Sequence, residues 1–199
     1  MKKVVSLFLA LSITFGIASQ VSAYTVKSGD TMWKVAERHE VGVMEIINAN
    51  PQIPNPNLIY PSQWLNIPTI SEKNVESQVV ELVNQERAKY GLKPLKQDWE
   101  LSRVARHKSQ DMRDRGYFSH NSPVYGSPFD MISSYGVSYK RAGENIASGQ
   151  VTPKEVMNAW MNSSGHRGNI LDSNYTHIGV GYAKGGGMSH YWTQQFIQK

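Results

Sequence analysis

Cysteine is absent from all 199 residues. Thiol catalysis and disulfide cross-linking are therefore excluded, and the fold must be held by burial of its own core. Beyond residue 17 no segment has the length and apolar character of the roughly 20-residue stretch that spans a bilayer. No basic run interleaved with aromatics occurs either, so nucleic acid is not an expected partner. Long proline or serine tracts are missing too, which leaves no stiff spacer between parts of the chain.

What is present begins with a leader pattern. Lys2 and Lys3 precede an apolar run from Val4 to Ile17, and Val21-Ser22-Ala23 offers small residues for cleavage, so residues 1–23 read as a secretory signal peptide. Its removal lowers the formal charge from +5 to +3. Residues 24–68 carry a net −1 and residues 69–199 a net +4, a distribution that fits loose attachment to an anionic wall. A cysteine-free exported chain fits a bacterial source. The expected location is secreted, extracellular or in the cell wall, with no membrane span after cleavage.

From Tyr24 to Pro68 the pattern is strand, helix, helix, strand. Tyr24-Thr25-Val26 is a short strand, and Asp30 is placed to cap a helix that starts at Thr31 with Trp33, Val35 and Ala36 inward. A second helix over Val43 to Ala49 directs Val43, Met44, Ile46 and Ile47 inward and ends before Pro51. Trp64 to Ile67 closes a two-stranded antiparallel sheet. These residues resemble a LysM domain, through Tyr24-Thr25-Val26-Lys27-Ser28-Gly29-Asp30-Thr31, Trp33-Lys34-Val35-Ala36, Asn48-Ala49-Asn50-Pro51-Gln52-Ile53, Leu58-Ile59-Tyr60-Pro61 and Leu65-Asn66-Ile67-Pro68. The resemblance implies binding of peptidoglycan or another N-acetylglucosamine-containing glycan between the loops Ser28 to Met32 and Asn50 to Ile59. The glycan-binding candidates are Gly29, Asp30, Thr31, Met32, Asn50, Ile53 and Ile59. Ser62 stands where the family usually has a turn glycine, so a left-handed backbone there would cost about 1 kcal/mol.

Residues 69–74 are polar and aperiodic and are expected to link this unit to a second one over residues 75–199. A short flexible link of that kind keeps the two within ~15 Å. In the second unit, Val79, Leu82 and Val83 define a helix that stops at Gly91. Another helix starts at Asp98 with Leu101, Val104, Ala105 and Met112 buried. Arg103, Arg106, Lys108 and Arg113 are expected on its solvated face, with His107 beside them, and Gly116 ends it. Thr152-Pro153-Lys154-Glu155 announces a further helix with Val156, Ala159, Trp160 and Ser163 on one face. Ile178 to Ala183 and Tyr191 to Ile197 read as a closing hairpin around a glycine turn. Helices followed by a hairpin make the fold class α+β.

The second unit is similar to the CAP superfamily, also called SCP-like, which groups cysteine-rich secretory proteins, antigen 5 and pathogenesis-related 1 proteins. The resemblance rests on Val83-Asn84-Gln85-Glu86-Arg87, Tyr117-Phe118-Ser119-His120, Gly143-Glu144-Asn145-Ile146-Ala147, Trp160-Met161, Ser164-Gly165-His166-Arg167-Gly168-Asn169-Ile170-Leu171 and the closing strands. It implies an α-β-α sandwich with a cavity lined by His120, Glu144 and His166. Those three are the catalytic candidates, and as two histidines with one carboxylate they could also hold a divalent metal such as zinc. The family's second acid sits three residues after the helix tryptophan, where this chain has Ser163. One carboxylate cannot divide acid and base duties between a raised and a lowered pKa, which weakens hydrolysis. Asn145 and Asn169 read as hydrogen-bonding braces, and His39, His177 and His190 as turn or surface residues. The favoured reading is a wall-bound protein whose CAP-like part binds or scaffolds. The alternatives are a metal-assisted hydrolase of wall or secreted substrates, and a carrier of a small apolar ligand or lipid.

Overall fold

The computed structural model describes residues 21–199, so most of the expected leader lies outside the described residues. The smaller unit is built from β1 (Val21–Thr25), α1 (Met32–His39), α2 (Val43–Asn48) and β2 (Trp64–Pro68). The strands pair antiparallel with Tyr24 opposite Leu65, and Val21 to Ala23, placed in the leader by the sequence pattern, form rungs opposite Pro68, Ile67 and Asn66. Val35, Ala36, Ile46, Leu65 and Ile67 make the core. Ser62 has φ 70°, the left-handed conformation expected of it.

Two expectations fail in this unit. Thr31, not Asp30, caps α1 by accepting from the Lys34 N–H. The Asp30 carboxylate instead accepts from Tyr24 Oη at 2.5 Å and the Lys27 N–H at 2.9 Å and pairs with Arg38 at 2.9 Å, charge-assisted partners that a cap position lacks. Trp33 and Met44, expected inward, are each 58% exposed, because Met32 and Ile46 already occupy the inward positions of these short helices.

The connector is shorter than residues 69–74, since α3 (Lys73–Lys89) starts inside that range. Then follow β3 (Lys96–Gln97), α4 (Trp99–Arg115), α5 (Pro128–Ser134), β4 (Arg141–Ser148), α6 (Pro153–Met161), α7 (Ser164–Leu171), β5 (His177–Lys184) and β6 (His190–Gln198). The sheet order is β3-β5-β6-β4. Trp160, Val79 and Val156 of α6 and α3 cover one face of the sheet, against Val180, Trp192 and Phe196. Helix α4 covers the other, which gives the three-layer α-β-α arrangement.

Helix α4 lies on bare backbone. A Cβ at Gly179 would sit 2.3 Å from the Leu101 carbonyl carbon, and one at Gly181 would sit 2.0 Å from the Arg106 nitrogen. No side chain fits at either position without moving the helix.

That close approach overturns the expected solvated basic face of α4. Arg106 is buried and bonds Glu76 of α3 at 2.8 and 2.5 Å, and Lys108 has no exposed surface. Strand β3 pairs only with His177 and Ile178, leaving the N–H of Tyr182 at the sheet edge to bond Glu76 Oε1 at 3.1 Å. Arg103 and His107 reach Glu45 of the smaller unit at 2.8 and 3.2 Å. The acidic partners lie 30 to 62 residues upstream, beyond what the charge pattern of one helix reveals. Ala159, expected inward, is exposed, and the helix that carries it breaks after Met161 so that His166 sits on α7.

Breaking the Arg106–Glu76 pair strands a buried carboxylate, so Arg106→Met should lower the unfolding free energy by about 3 kcal/mol or more in urea titration. Lys89→Met, at an exposed pair with Glu86, should cost less than about 1 kcal/mol. Equal losses would contradict the burial argument.

Candidate functional site

Strand β4 lies at the sheet edge, and its pleat sends successive side chains to opposite faces. Glu144 sits opposite Gln195 and Asn145 opposite Gln194. The Glu144 carboxylate, 1% exposed, lies toward α4. Its Oε1 is 2.9 Å from His120 Nδ1, and its Oε2 accepts from Gln195 Nε2 at 3.0 Å. Both oxygens are thus engaged, and the buried group is satisfied.

The loop carrying His120 is gripped from α4. Lys108 Nζ donates to the His120 carbonyl at 2.7 Å and to Tyr117 Oη at 3.2 Å. Burial pushes the Lys108 pKa down, with the charges of Glu144 and Asp111 acting in opposition. Asp111 accepts from Tyr117 Oη at 2.5 Å, from Ser122 Oγ at 2.7 Å and from Arg115 at 2.7 Å. Burial and the bond to Asp111 raise the Tyr117 pKa. The sequence pattern places Lys108 on the solvated face and does not single out Asp111 or Gln195; the signal available is charge at positions 108 and 111, which share the buried side of α4 with Val104 and Ala105.

On the opposite face, Asn145 Nδ2 donates to the His166 carbonyl and to Gln194 Oε1, both at 3.1 Å. Asn169 Nδ2 donates to Asn145 Oδ1 at 2.8 Å and to the Glu144 carbonyl at 3.2 Å. Both asparagines are the braces expected of them. His166 therefore reaches the β4 edge from the layer opposite Glu144. Burial lowers its pKa, and the charge of His120 lowers it further. His120 and Glu144 meet directly, whereas among the described residues no hydrogen bond joins the His166 ring to either. No group of three or more His, Asp or Glu among the described residues is arranged to hold a metal ion. The bond from Glu144 Oε1 fixes the His120 ring through Nδ1, so His120 Nε2 and the His166 ring are the nitrogens that a zinc-like ion would use. Ser163, where a second acid would stand, is the N-cap residue of α7.

The glycan candidates of the smaller unit divide by exposure. Gly29 and Thr31 are exposed, and Asp30, Ile53 and Ile59 are half-buried. Met32 and Asn50 are buried. Asn50 Nδ2 donates to the carbonyls of Ile46 and Asn66, both at 2.7 Å, and its Oδ1 accepts from the Asn66 N–H at 2.8 Å. It ties α2 to β2 and has no free face for a ligand.

Residues 80–196 match the model described as CAP, the cysteine-rich secretory protein family. This chain belongs to the CAP family. Residues 24–68 match the LysM domain model, so a LysM domain, of a kind that binds N-acetylglucosamine-containing glycans, precedes the CAP domain. The chain is 65% identical over 124 residues to uncharacterized protein YkwD of Bacillus subtilis, covering 62% of this chain and 47% of that protein. It is 40% identical over 144 residues to the uncharacterized membrane protein YlbC of the same bacterium, covering 72% and 39%. It therefore spans less than half the length of these curated relatives. Among solved structures it is similar to an extracellular SCP-domain protein of Bacillus anthracis, with a TM-score of 0.58 and 32% identity over 70% of this chain and 47% of that one. An outer surface protein of Borrelia burgdorferi shares the fold, with a TM-score of 0.59 at 24% identity, over 65% of this chain and 96% of that one.

Two measurements check the CAP site. Glu144→Gln keeps the shape but removes the charge facing His120, and should cost about 2 to 4 kcal/mol of stability; no loss would mean the carboxylate is not a structural tie. Because the folded His166 pKa lies below the ordinary 6.5, its neutral form favours the folded state above pH 6.5, and that contribution is lost as pH falls through the depressed value. His166→Gln should therefore lose less stability than the native chain between pH 7.5 and 5, read by urea titration at each pH. Identical pH dependence would contradict the shift.

Proposed function

We propose that this is an exported, cell-wall-associated protein whose LysM domain binds peptidoglycan and whose CAP domain acts as a binding or scaffolding module. In this reading the chain divides into a leader of residues 1–23, the LysM domain over 24–68, a linker and the CAP domain over 75–199. The observation that carries it is the state of Glu144. A general acid or nucleophile needs a carboxyl group with access to substrate, and this one is buried with both oxygens bonded. His120, with a half-exposed side chain, and the neutral-leaning His166 then form a polar floor that a ligand can meet by hydrogen bonding. Similarity to an extracellular SCP-domain protein of Bacillus anthracis supports placement outside the cell. Among the described residues no helix is long and apolar enough to cross a membrane. Hydrolysis would need a second carboxylate with access to substrate, and Asp111, whose charge acts on Lys108 together with that of Glu144, is engaged by Tyr117, Ser122 and Arg115.

For glycan recognition, Gly29, Thr31, Ile53 and Ile59 supply the accessible part of the groove, with Asp30 fixing its first loop through Tyr24 and Arg38. Small and half-buried apolar residues there let a sugar ring approach the backbone, which reads its acetamido groups. The full chain should sediment with purified insoluble peptidoglycan and be released by soluble N-acetylglucosamine oligomers. Ile53→Asp should lower the bound fraction at least about fivefold, a loss of about 1 kcal/mol, while leaving the CAP domain folded by near-ultraviolet circular dichroism. Undiminished retention of the variant would move wall recognition to another surface.

A further inference from the structure

We propose that the cleft between the two domains is a second carbohydrate subsite, continuing the LysM groove onto the CAP domain. The proposal rests on the reading that the LysM domain binds glycan. The cleft has a volume of about 480 Å³, within the range of small-ligand sites. Its apolar walls come from both domains: Trp33 and Met44 from α1 and α2, Trp99 from the start of α4, and Tyr125 and Tyr135 on either side of α5. Trp33 and Met44 are 58% exposed and contribute nothing to the LysM core. Large apolar side chains left in water on a domain this small, facing aromatic rings across a cleft, mark a place where something binds.

The walls are held in register. Glu45 of α2 meets Arg103 at 2.8 Å and His107 at 3.2 Å, and Lys73 meets Glu40 at 3.1 Å. Although burial acts to raise it, the bonds from His107 and Arg103 hold the Glu45 pKa down at about 2. The Glu45 carboxylate is therefore ionised at neutral pH, where it pairs with Arg103.

The polar groups in the cleft decide the ligand class. Glu37 from the LysM domain and Glu100 from the CAP domain line it, with Ser134 and Arg103. The two carboxylates are close enough that Glu37 adds to the burial that raises the Glu100 pKa. A cationic ligand would meet the Arg103 guanidinium, whose carbon lies 5.0 Å over the Tyr135 ring, and an anionic one would meet both glutamates. A neutral polyhydroxylated ligand uses all of them, its hydroxyls donating to the carboxylates and accepting from the guanidinium while its ring C–H faces lie on the aromatics. The first groove loop ends at Met32, where α1 begins, and that helix carries Trp33 and Glu37 into the cleft; a glycan held by the loop is therefore the ligand we assign to it.

Isothermal titration of the full chain with chitobiose and chitohexaose tests this. Trp33→Ala and, on the CAP side, Trp99→Ala should each weaken chitohexaose about tenfold while leaving chitobiose within about twofold, since loss of an aromatic contact acts only on the sugars that reach it. Unchanged chitohexaose affinity in both variants, with native binding intact, overturns the subsite and leaves the LysM reading standing. A native chain that binds neither oligomer overturns both. A Trp33→Ala change that shifts the sedimentation coefficient instead of the sugar affinity assigns the cleft to a second copy and also overturns the proposal.

Discussion

Contact between α4 and bare strand backbone is the constraint on which the CAP domain depends. Gly179 and Gly181 remove the side chains that would hold the helix off the sheet, and the helix backbone comes within the space a Cβ would need. At that distance α4 has little solvated circumference left, so its polar residues must find partners inside. Arg106 reaches over the open edge of β5 to Glu76, Ser109 bonds Thr193 at 2.9 Å, Lys108 holds the His120 loop, and Asp111 holds Tyr117 and Ser122. Buried charges of this kind are costly to strand and specific in geometry. They connect α3, the sheet and the His120 loop through one helix.

The site is a consequence of that arrangement. Glu144 comes from an edge strand and meets a loop already fixed by Lys108 and Asp111, while the alternating pleat sends Asn145 to the other layer, where it braces α7 and with it His166. His120 and Glu144 form a bonded pair, and His166 stands on α7, near enough for the charge of His120 to act on it. The same helix also presents Arg103 and His107 outward to Glu45, so the element that positions the CAP site docks the LysM domain as well.

Much of this was legible in the sequence because the signals were local. The βααβ order, the ends of α3 and α4 at Gly91 and Gly116, the Thr152 cap and the closing hairpin each follow from a few adjacent residues, as does the strained Ser62. Helix α5 carries a local signal equal to that of α6: Ser127-Pro128-Phe129-Asp130 makes a full capping box with proline at the first turn, ahead of a helix of only seven residues. Strand β4 went unread for a different reason, since Arg141 to Ser148 alternates neither in polarity nor in size, and its two inner polar residues belong to the site. The burial of Arg106 and Lys108 was illegible in principle from periodicity, which sorts residues by polarity and cannot see a partner on another element. The presence of His120, Glu144 and His166 near one strand followed from family resemblance; that they approach from two layers required the register of β4 against β6.

The central claim is that Glu144 is a structural carboxylate framing a binding site. It is tested most directly by incubating the full chain with purified cell-wall material and measuring newly formed reducing ends and free amines, alongside the Glu144→Gln variant. The account predicts no release above the protein-free blank for either chain. Release by the native chain that disappears in Glu144→Gln, under conditions where the variant remains folded, would contradict it.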